Sequence, residues 1–405
     1  MKVAVIGGGA AGFFAAISVK ENYPEATVSL FEKTNKILSK VKISGGGRCN
    51  VTNGTKSIKD LCAGYPRGGK HLKKLFKEFN TTHTQEWFES KGVPLKTEAD
   101  NRVFPVSDDS QSIIDCLLKE CAGLNISIKQ KSNVTKIKSL DNTQLELSFQ
   151  AGKPVNFDKV IIASGGSPKR SGLIWLEELD HEIINPVPSL FTFNMPSESV
   201  KELMGVVAND AHVSIIGSKL KSSGPLLITH WGMSGPAILK LSSLGARDLA
   251  DCAYRFSSSV NWINQINQES VSVHLFDIAT KNPKKLVQNI KPFDLPTRLW
   301  KFLIDKSQIP STKIWGELGK KGINKLVQVL CHDTYIVNGK TTFKEEFVTC
   351  GGVALSSVDM KSLESKHCKN LYFAGEVLDI DGITGGYNFQ AAWTTAYIAG
   401  KLQSF

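Results

Sequence analysis

A glycine pattern near the N-terminus constrains the fold more than any other feature of the chain. "KVAVI" (residues 2–6) is a short apolar run, typical of a strand buried on both faces of a parallel sheet. Gly7, Gly9 and Gly12 follow, and "FFAAISVKENY" then carries apolar residues at helical spacing. A second strand, "ATVSLFEKT", completes a βαβ unit. This order predicts a Rossmann-like α/β domain.

The same glycines predict a dinucleotide site. Gly7 permits a tight turn, Gly9 lets the backbone approach a pyrophosphate, and Gly12 lets the helix and strand pack closely. The helix start offers free N–H groups and a positive dipole end to the phosphates. Glu32 lies twenty residues after Gly12, at the end of the second strand. A carboxylate there accepts hydrogen bonds from a ribose diol.

A second motif, near the C-terminus, favours a flavin over a nicotinamide as the dinucleotide. In "LYFAGEVLDIDGITGGYNFQAAW" a strand (371–374) runs into Gly375 and Glu376, and a loop with Asp379 and Gly386 leads to a helix from about Asn388. Such a helix start aims backbone N–H groups at the electron-accepting edge of a flavin and stabilises negative charge there. A dehydrogenase that uses only NAD does not need this element.

Five stretches together carry a family resemblance: "VAVIGGGAAG", "KISGGGRCNVTN", "THWGMSGPAILKLS", "TCGGVAL" and the C-terminal motif above. With them the chain resembles the bacterial BaiN/YhiN-like flavoproteins, described as NAD(P)/FAD-dependent or aminoacetone oxidase-like oxidoreductases. The resemblance runs from residue 1 to about residue 400. One segment departs from it: "ASGGSPKRSGLIWLEELDHEI" keeps Gly165, Gly166 and Pro168 but lacks the family's T-G-S-x-G-D-G tail.

The resemblance implies an FAD site built from several segments. "SGGGRCN" would wrap the FAD, with Arg48 available to phosphate and Asn50 to polar flavin or ribityl atoms, and the backbone of Val134 would meet the adenine. The full set of expected cofactor-binding residues is Gly7, Gly9, Ala11, Gly12, Glu32, Lys33, Gly45, Gly46, Gly47, Arg48, Cys49, Asn50, Val134, Ser164, Gly165, Gly375, Glu376, Asp379, Gly386, Asn388 and Phe389.

The glycine-rich motifs lie at both ends of the chain and short strands lie between them, and this arrangement predicts an interrupted domain. We expect an FAD-binding domain made of residues 1–190 and 336–405, with a largely β, substrate-side domain inserted at 191–335. The strands expected in the insertion are "HVSIIG", "PLLITHWG", "YRFSSSVNWI" and "SVSVHLFDI", followed by a Lys-rich, helix-leaning stretch around "LPTRLWKFLID".

Composition narrows the class of protein. No apolar run is long enough to cross a bilayer and no signal peptide is evident, so we expect a cytoplasmic protein. The eight cysteines form no CxxC pair, and neither a metal-ligand cluster nor a Ser/His/Asp constellation stands out. The net charge of +11 favours acidic partners. Because the lysines are spread along the chain, a solvated surface is the preferred interpretation and nucleic acid is not the expected partner.

The leading hypothesis is an FAD-dependent oxidoreductase that transfers a hydride between flavin and a small organic substrate. NAD(P)H is a candidate electron donor, although no second G-x-G-x-x-G accompanies the first. His230 and Tyr387 are the candidate catalytic residues, each with core packing as the alternative. Two other functions stay open: a tRNA-modifying flavoprotein, suggested by the charge, and a non-catalytic flavin-binding protein. The sequence does not fix the substrate or the oligomeric state.

Overall fold

The computed structural model describes residues 1–140, 144–265, 267–341 and 348–403. Two compact units account for the chain. The first consists of Met1–Ser189 and Phe343–Phe405, and the second of Leu190–Thr342. No described helix combines the length and the apolar character that crossing a membrane requires.

The strands are numbered in chain order. They are β1 Lys2–Ile6, β2 Thr27–Phe31, β3 Thr52–Asn53, β4 Leu95–Thr97, β5 Arg102–Pro105, β6 Ser127–Lys129, β7 Val134–Ser139, β8 Leu145–Phe149, β9 Val155–Phe157, β10 Lys159–Ile162, β11 Ile183–Pro188, β12 Thr192–Asn194, β13 Val207–Ile215, β14 Lys221–Thr229, β15 Gly232–Ser234, β16 Arg255–Asn261, β17 Asp333–Asn338, β18 Lys340–Thr341, β19 Thr349–Val353 and β20 Leu371–Phe373.

The α-helices are α1 Ala10–Asn22, α2 Ser39–Ile43, α3 Ile58–Ala63, α4 Gly69–Leu75, α5 Thr81–Ser90, α6 Gln111–Gly123, α7 Ile174–Glu177, α8 Pro236–Leu244, α9 Ala246–Asp251, α10 Gln268–Lys281, α11 Thr297–Lys306, α12 Gly319–Cys331 and α13 Tyr387–Gly400.

A parallel sheet forms the centre of the first unit. Its strand order is β20-β10-β1-β2-β6, and each described pairing in it is parallel. In β1 and β2 every residue after the first is buried, as expected for strands covered on both faces. Helices α1 and α13 pack against each other, and most residues of each are buried. Three smaller sheets, β3-β5-β4, β7-β8-β9 and β11-β19, complete this unit.

An antiparallel sheet organises the second unit. Its order in the described residues is β17-β16-β13-β14-β15-β12-β18. Helices α8 to α12 contribute to the same core, which includes the fully buried Trp262, Trp300 and Trp315. The predicted Rossmann-like α/β fold, interrupted by an insertion with a β-sheet, is confirmed.

One local prediction was wrong. "SVSVHLFDI" is not a strand but lies in helix α10, which Asn267 caps by accepting hydrogen bonds from the backbone of Glu269 and Ser270. Its inward residues, Val271 and Leu275, are four apart, and the alternating valine at 273 that suggested a strand is exposed.

Candidate active site

The turn after β1 has the geometry that its glycines predict. Gly7 has φ of +119°, and a Cβ at Gly12 would lie 1.8 Å from the Gly7 carbonyl oxygen, so only glycine fits this helix–strand approach. Gly9 differs, because its φ of −96° suits any residue and a Cβ there would meet no atom within 4 Å. Gly9 is the N-cap of α1, whose start has no capping side chain and no acidic residue in its first turn. The described structure therefore leaves an open, electropositive space in front of this helix.

Glu32 lies beside that space. Its Oε2 accepts a hydrogen bond from the Gly8 N–H at 2.9 Å, and its Oε1 accepts from the N–H and hydroxyl of Thr34, each at 2.8 Å. Ser132 N–H donates to the Glu32 carbonyl at 2.8 Å, which brings the strand containing half-buried Val134 close to the end of β2. The neighbouring Lys33 is exposed.

The "SGGG" segment is a tight turn of left-handed residues. Gly45, Gly46 and Gly47 have φ of +59°, +69° and +87°, and Cβ atoms at Gly46 and Gly47 would meet nothing within 4 Å. The turn thus exposes backbone on one side, as a cofactor-covering loop requires.

Arg48 anchors this turn within the first unit. Its guanidinium pairs with Glu98 at 2.7 Å and with Asp108 at 3.4 Å, and lies 3.9 Å from the centre of the Phe104 ring. These partners keep the pKa of Arg48 raised, chiefly through the hydrogen bond to Glu98. A phosphate contact for Arg48 stays a prediction.

Cys49 is buried, and Asn50 is hydrogen-bonded within the protein. Desolvation raises the pKa of the Cys49 thiol to about 12. With its amide oriented to match its neighbours, Asn50 accepts from the Gly386 N–H at 2.9 Å and donates to the carbonyl of Thr52 at 2.9 Å. Asn50 therefore joins the glycine turn to the start of α13.

Segments from the two ends of the chain meet beside α1. A Cβ on Gly375 would lie 2.6 Å from that of Ala11. Glu376 pairs with Lys40 at 2.7 Å and accepts from the Thr349 N–H at 2.8 Å. Among the predicted residues nearby, Ser164 is exposed and Gly165 has open space around its Cβ position.

Thr349 was not predicted from the sequence. Its hydroxyl is buried and has no hydrogen-bond partner in the described part of the chain. A Cβ on Gly166 would lie 2.3 Å from this hydroxyl and 2.8 Å from Glu376 Oε1, so the hydroxyl belongs to the same cluster. An orphaned buried hydroxyl costs free energy unless a ligand satisfies it.

The start of α13 closes the site. Gly386 is its left-handed N-cap, where a Cβ would lie 2.2 Å from the Thr52 carbonyl oxygen. Like α1, this helix has no capping side chain and no acid in its first turn. The Asn388 side chain exchanges hydrogen bonds with both backbone groups of Gly382, and Phe389 stacks on Trp393. Asp379 N–H donates to the Val353 carbonyl at 2.9 Å.

Tyr387, the first residue of α13, is half-buried. Burial raises the pKa of its phenol, whose hydroxyl hydrogen-bonds with Thr55. Its ring occupies the space beside Gly64, where a Cβ would lie 2.2 Å from a ring carbon. His230 belongs to the second unit, where its exposed ring lies 4.4 Å from that of Trp231. Catalytic roles for both residues stay predictions.

Two buried polar clusters near this site also escaped prediction. Gln390 accepts hydrogen bonds from the hydroxyls of Thr52 and Thr84, and so fixes α13 to two other segments. Asp381 is fully buried, and pairs with Arg67 and Ser189. In the sequence, each cluster shows only as a polar residue inside an apolar or glycine-rich motif. A single polar residue does not indicate which distant residue will be its partner.

The HI0933-like protein Rossmann domain family matches residues 1–402. The chain belongs to this family. The resemblance to BaiN/YhiN-like proteins is thereby confirmed. A "3-dehydro-bile acid delta(4,6)-reductase" of Clostridium scindens is 26% identical over 409 residues, covering 99% of this chain and 98% of the relative. A "Ribosomal RNA dihydrouridine synthase" of Escherichia coli is 28% identical over 404 residues, covering 97% of this chain and 95% of the relative.

A solved structure shows the same fold. The 3-ketosteroid-Δ4-(5α)-dehydrogenase of Rhodococcus jostii RHA1 superposes with a TM-score of 0.52 at 13% identity, covering 99% of this chain and 96% of that one. The family and this likeness place the chain among proteins with a Rossmann-type fold.

Proposed function

We propose that the protein is an FAD-dependent oxidoreductase that reduces a carbon–carbon double bond conjugated to a carbonyl. One observation carries the proposal: two long helices, α1 and α13, begin at glycine N-caps with no capping side chain and no acid in the first turn, and the Cβ position of Gly9 before α1 is empty. Uncapped helix starts bind anions and electron-rich groups. The residues present fit an FAD, and Thr349 adds an orphaned hydroxyl to the same cluster.

Each segment has a distinct part in this proposal. The N–H groups at the start of α1 bind the pyrophosphate, and Glu32 orients the ribose hydroxyls. When bound, FAD supplies hydride transfer. The start of α13 stabilises negative charge on the cofactor. Tyr387, whose phenol carries its proton at neutral pH, is the candidate donor of a proton to the reduced substrate, and burial makes it a weaker acid by raising its pKa.

The relatives support the reaction class. A delta(4,6)-reductase and a dihydrouridine synthase, by the chemistry in their names, both saturate a carbon–carbon double bond. We infer that this chain does the same with hydride taken from NAD(P)H. Membership of the family does not fix one substrate, since fold likeness alone does not transfer specificity.

A pair of glycine variants tests the cofactor site. Gly9→Val fills the open space in front of α1 without backbone strain, so we expect a folded protein that no longer retains FAD. Gly123→Val is the matched control, because Gly123 also has ordinary φ and empty surroundings but lies at the exposed end of α6. Flavin absorbance after gel filtration is the measurement. Full FAD retention in Gly9→Val would refute the proposed site.

An anaerobic titration tests the direction of electron flow. Purified, FAD-loaded protein receives NADH and then NADPH while the visible flavin absorbance is followed. Prompt bleaching is the expected result. Flavin that stays oxidised with both would contradict the nicotinamide-fed reductase, and would direct the search to an oxidase of amines or alcohols.

A second candidate function is the reduction of uridine in RNA. It is favoured by the whole-length similarity to a ribosomal RNA dihydrouridine synthase and by the net charge of +11. The test is mass spectrometry of nucleosides from ribosomal and transfer RNA incubated with the FAD-loaded protein and NADPH. Dihydrouridine formed only in the presence of the protein would establish this function, and unchanged uridine in both RNAs would exclude it.

A further inference from the structure

The positive charge of the chain is concentrated in one part of the second unit. Residues 281–325 contain eleven lysines and arginines and only three acidic residues, so one ninth of the chain carries eight of its eleven net charges. The rest of the sequence is close to neutral. This distribution is not visible from the total charge, and the interpretation of the lysines as evenly spread does not hold for this stretch.

The fold brings these residues into one layer. Helix α12 packs against both α10 and α11. The connecting segments pair through Trp315 N–H to the Lys285 carbonyl at 2.9 Å and Val287 N–H to the Lys313 carbonyl at 2.9 Å. Lys284 and Lys285 therefore adjoin the segment that leads into α12, where Lys320 and Lys321 lie. We call residues 281–325 the basic layer; the preceding part of α10, with its exposed Val273 and Phe276, does not belong to it.

Much of this charge has no counter-charge among the residues that the structure describes. Lys306 pairs with Asp333 at 2.5 Å and Lys313 with Glu317 at 3.2 Å. Within the described residues, no ion pair or hydrogen bond is made by the exposed ammonium groups of Lys284, Lys285, Lys301, Lys320 and Lys321. Two of them, Lys320 and Lys321, occupy the first turn of α12, where the helix dipole disfavours cations. Charge placed where it does not stabilise the fold is available to a partner.

The residue composition of the basic layer indicates which class of molecule it binds. No large hydrophobic side chain of 281–325 is among the exposed ones, whereas a membrane-binding surface needs apolar residues to insert. Protein interfaces are depleted of lysine, yet all but one of the eleven cations here are lysines. Lysine-rich surfaces without apolar anchors suit a phosphodiester backbone, which is bound by charge and with little dependence on sequence.

We propose that the basic layer is the docking surface for an RNA substrate. This inference rests on the second candidate function above, and assigns the RNA contact to lysines of the second unit. Phosphate contacts position the nucleic acid without specifying it. The choice of base belongs to the flavin-bearing unit.

The test is fluorescence anisotropy with FAD-loaded protein and a labelled single-stranded uridine oligonucleotide. Salt is varied between about 50 and 300 mM, and each phosphate contact adds about 0.7 to the slope of log affinity against log salt. Lys284, Lys285, Lys320 and Lys321 are changed together to glutamine. We expect this quadruple variant to bind at least tenfold more weakly, with a slope smaller by about 3.

The matched control changes Lys70, Lys73, Lys74 and Lys77 to glutamine. These four are equally exposed, and lie in or next to α4 of the first unit. Near-native affinity in the control supports the proposal. Equal losses in both variants would show that binding follows net charge only, and would overturn it, as would an affinity that does not depend on salt.

Two further measurements distinguish a phosphodiester partner from other polyanions, and the two proposals from each other. A DNA oligonucleotide of matching sequence should bind comparably, because the lysines contact phosphates only, whereas polyglutamate that competes equally well would overturn the phosphodiester. Flavin absorbance is measured on the same samples. Loss of FAD with RNA binding intact would refute the cofactor site alone, whereas bound FAD without RNA binding would refute the basic layer alone.

Discussion

Replacing Thr349 with valine should move two properties of the protein in opposite directions. The hydroxyl of Thr349 is buried and has no partner in the described residues, so the protein without cofactor carries the cost of desolvating it, about 1–3 kcal/mol. Valine has the same shape but no hydroxyl. We therefore expect the free energy of unfolding of the cofactor-free protein to rise by about 1 kcal/mol. Its Tm should rise by about 2 °C.

The opposite effect is expected for the FAD complex. If the hydroxyl binds the cofactor, its removal costs one hydrogen bond of about 1 kcal/mol, so the dissociation constant of FAD should increase about fivefold to tenfold. Thermal unfolding without FAD and a flavin fluorescence titration measure the two effects. The control is Thr394→Val, because the Thr394 hydroxyl donates to the Phe79 carbonyl at 2.9 Å and accepts from Gln390 at 2.9 Å. This control should destabilise the cofactor-free protein. The same destabilisation in Thr349→Val, or an unchanged FAD affinity, would refute the reasoning.

Three further predictions concern the same unit. Gly12→Ala should lower Tm strongly, since its Cβ would lie 1.8 Å from a carbonyl oxygen; a native Tm in thermal melts would contradict this. Cys49, with a pKa of about 12, should resist iodoacetamide at pH 8 until the protein unfolds, as mass spectrometry can show. Asp381→Ala removes a fully buried charge partner of Arg67 and should cost about 3 kcal/mol in urea unfolding, whereas a loss below 1 kcal/mol would argue against a structural ion pair.

The Rossmann core could be predicted from the sequence because its signals are local. β1, Gly7 and α1 are adjacent in the chain, and short-range steric constraints determine which residue type can occupy each of these positions. The C-terminal strand and helix were predicted to within one or two residues for the same reason. Helix α10 was misassigned because Val271 and the valine at 273 alternate like strand residues. The capping by Asn267 and the inward pair Val271 and Leu275 outweighed that alternation.

The contacts that fix the site could not be predicted, because they join distant segments. The Glu98 partner of Arg48 lies fifty residues away, and the Thr52 partner of Gln390 is 338 residues away. A single sequence gives each residue's chemistry but not which partner satisfies it. The same limit hid Thr349, whose significance comes from having no partner, and the basic layer, whose lysines come together only through the packing of α10, α11 and α12.

The joining of the two chain ends has a consequence for how the protein is made. Helix α1 is synthesised long before its packing partner α13. Phe14 of α1 packs against Trp393 of α13, and the Val51 carbonyl accepts a hydrogen bond from the indole N–H of the same tryptophan, which lies 342 residues after Val51. Neither contact can form before Trp393 has been synthesised. In the sequence, the second unit lies between the two segments of the first unit, so its core can form before α13 is made. The proposed cofactor site is therefore complete only once α13 has been synthesised, and a chain truncated before α13 lacks half of that site and leaves the hydrophobic helix α1 without its partner.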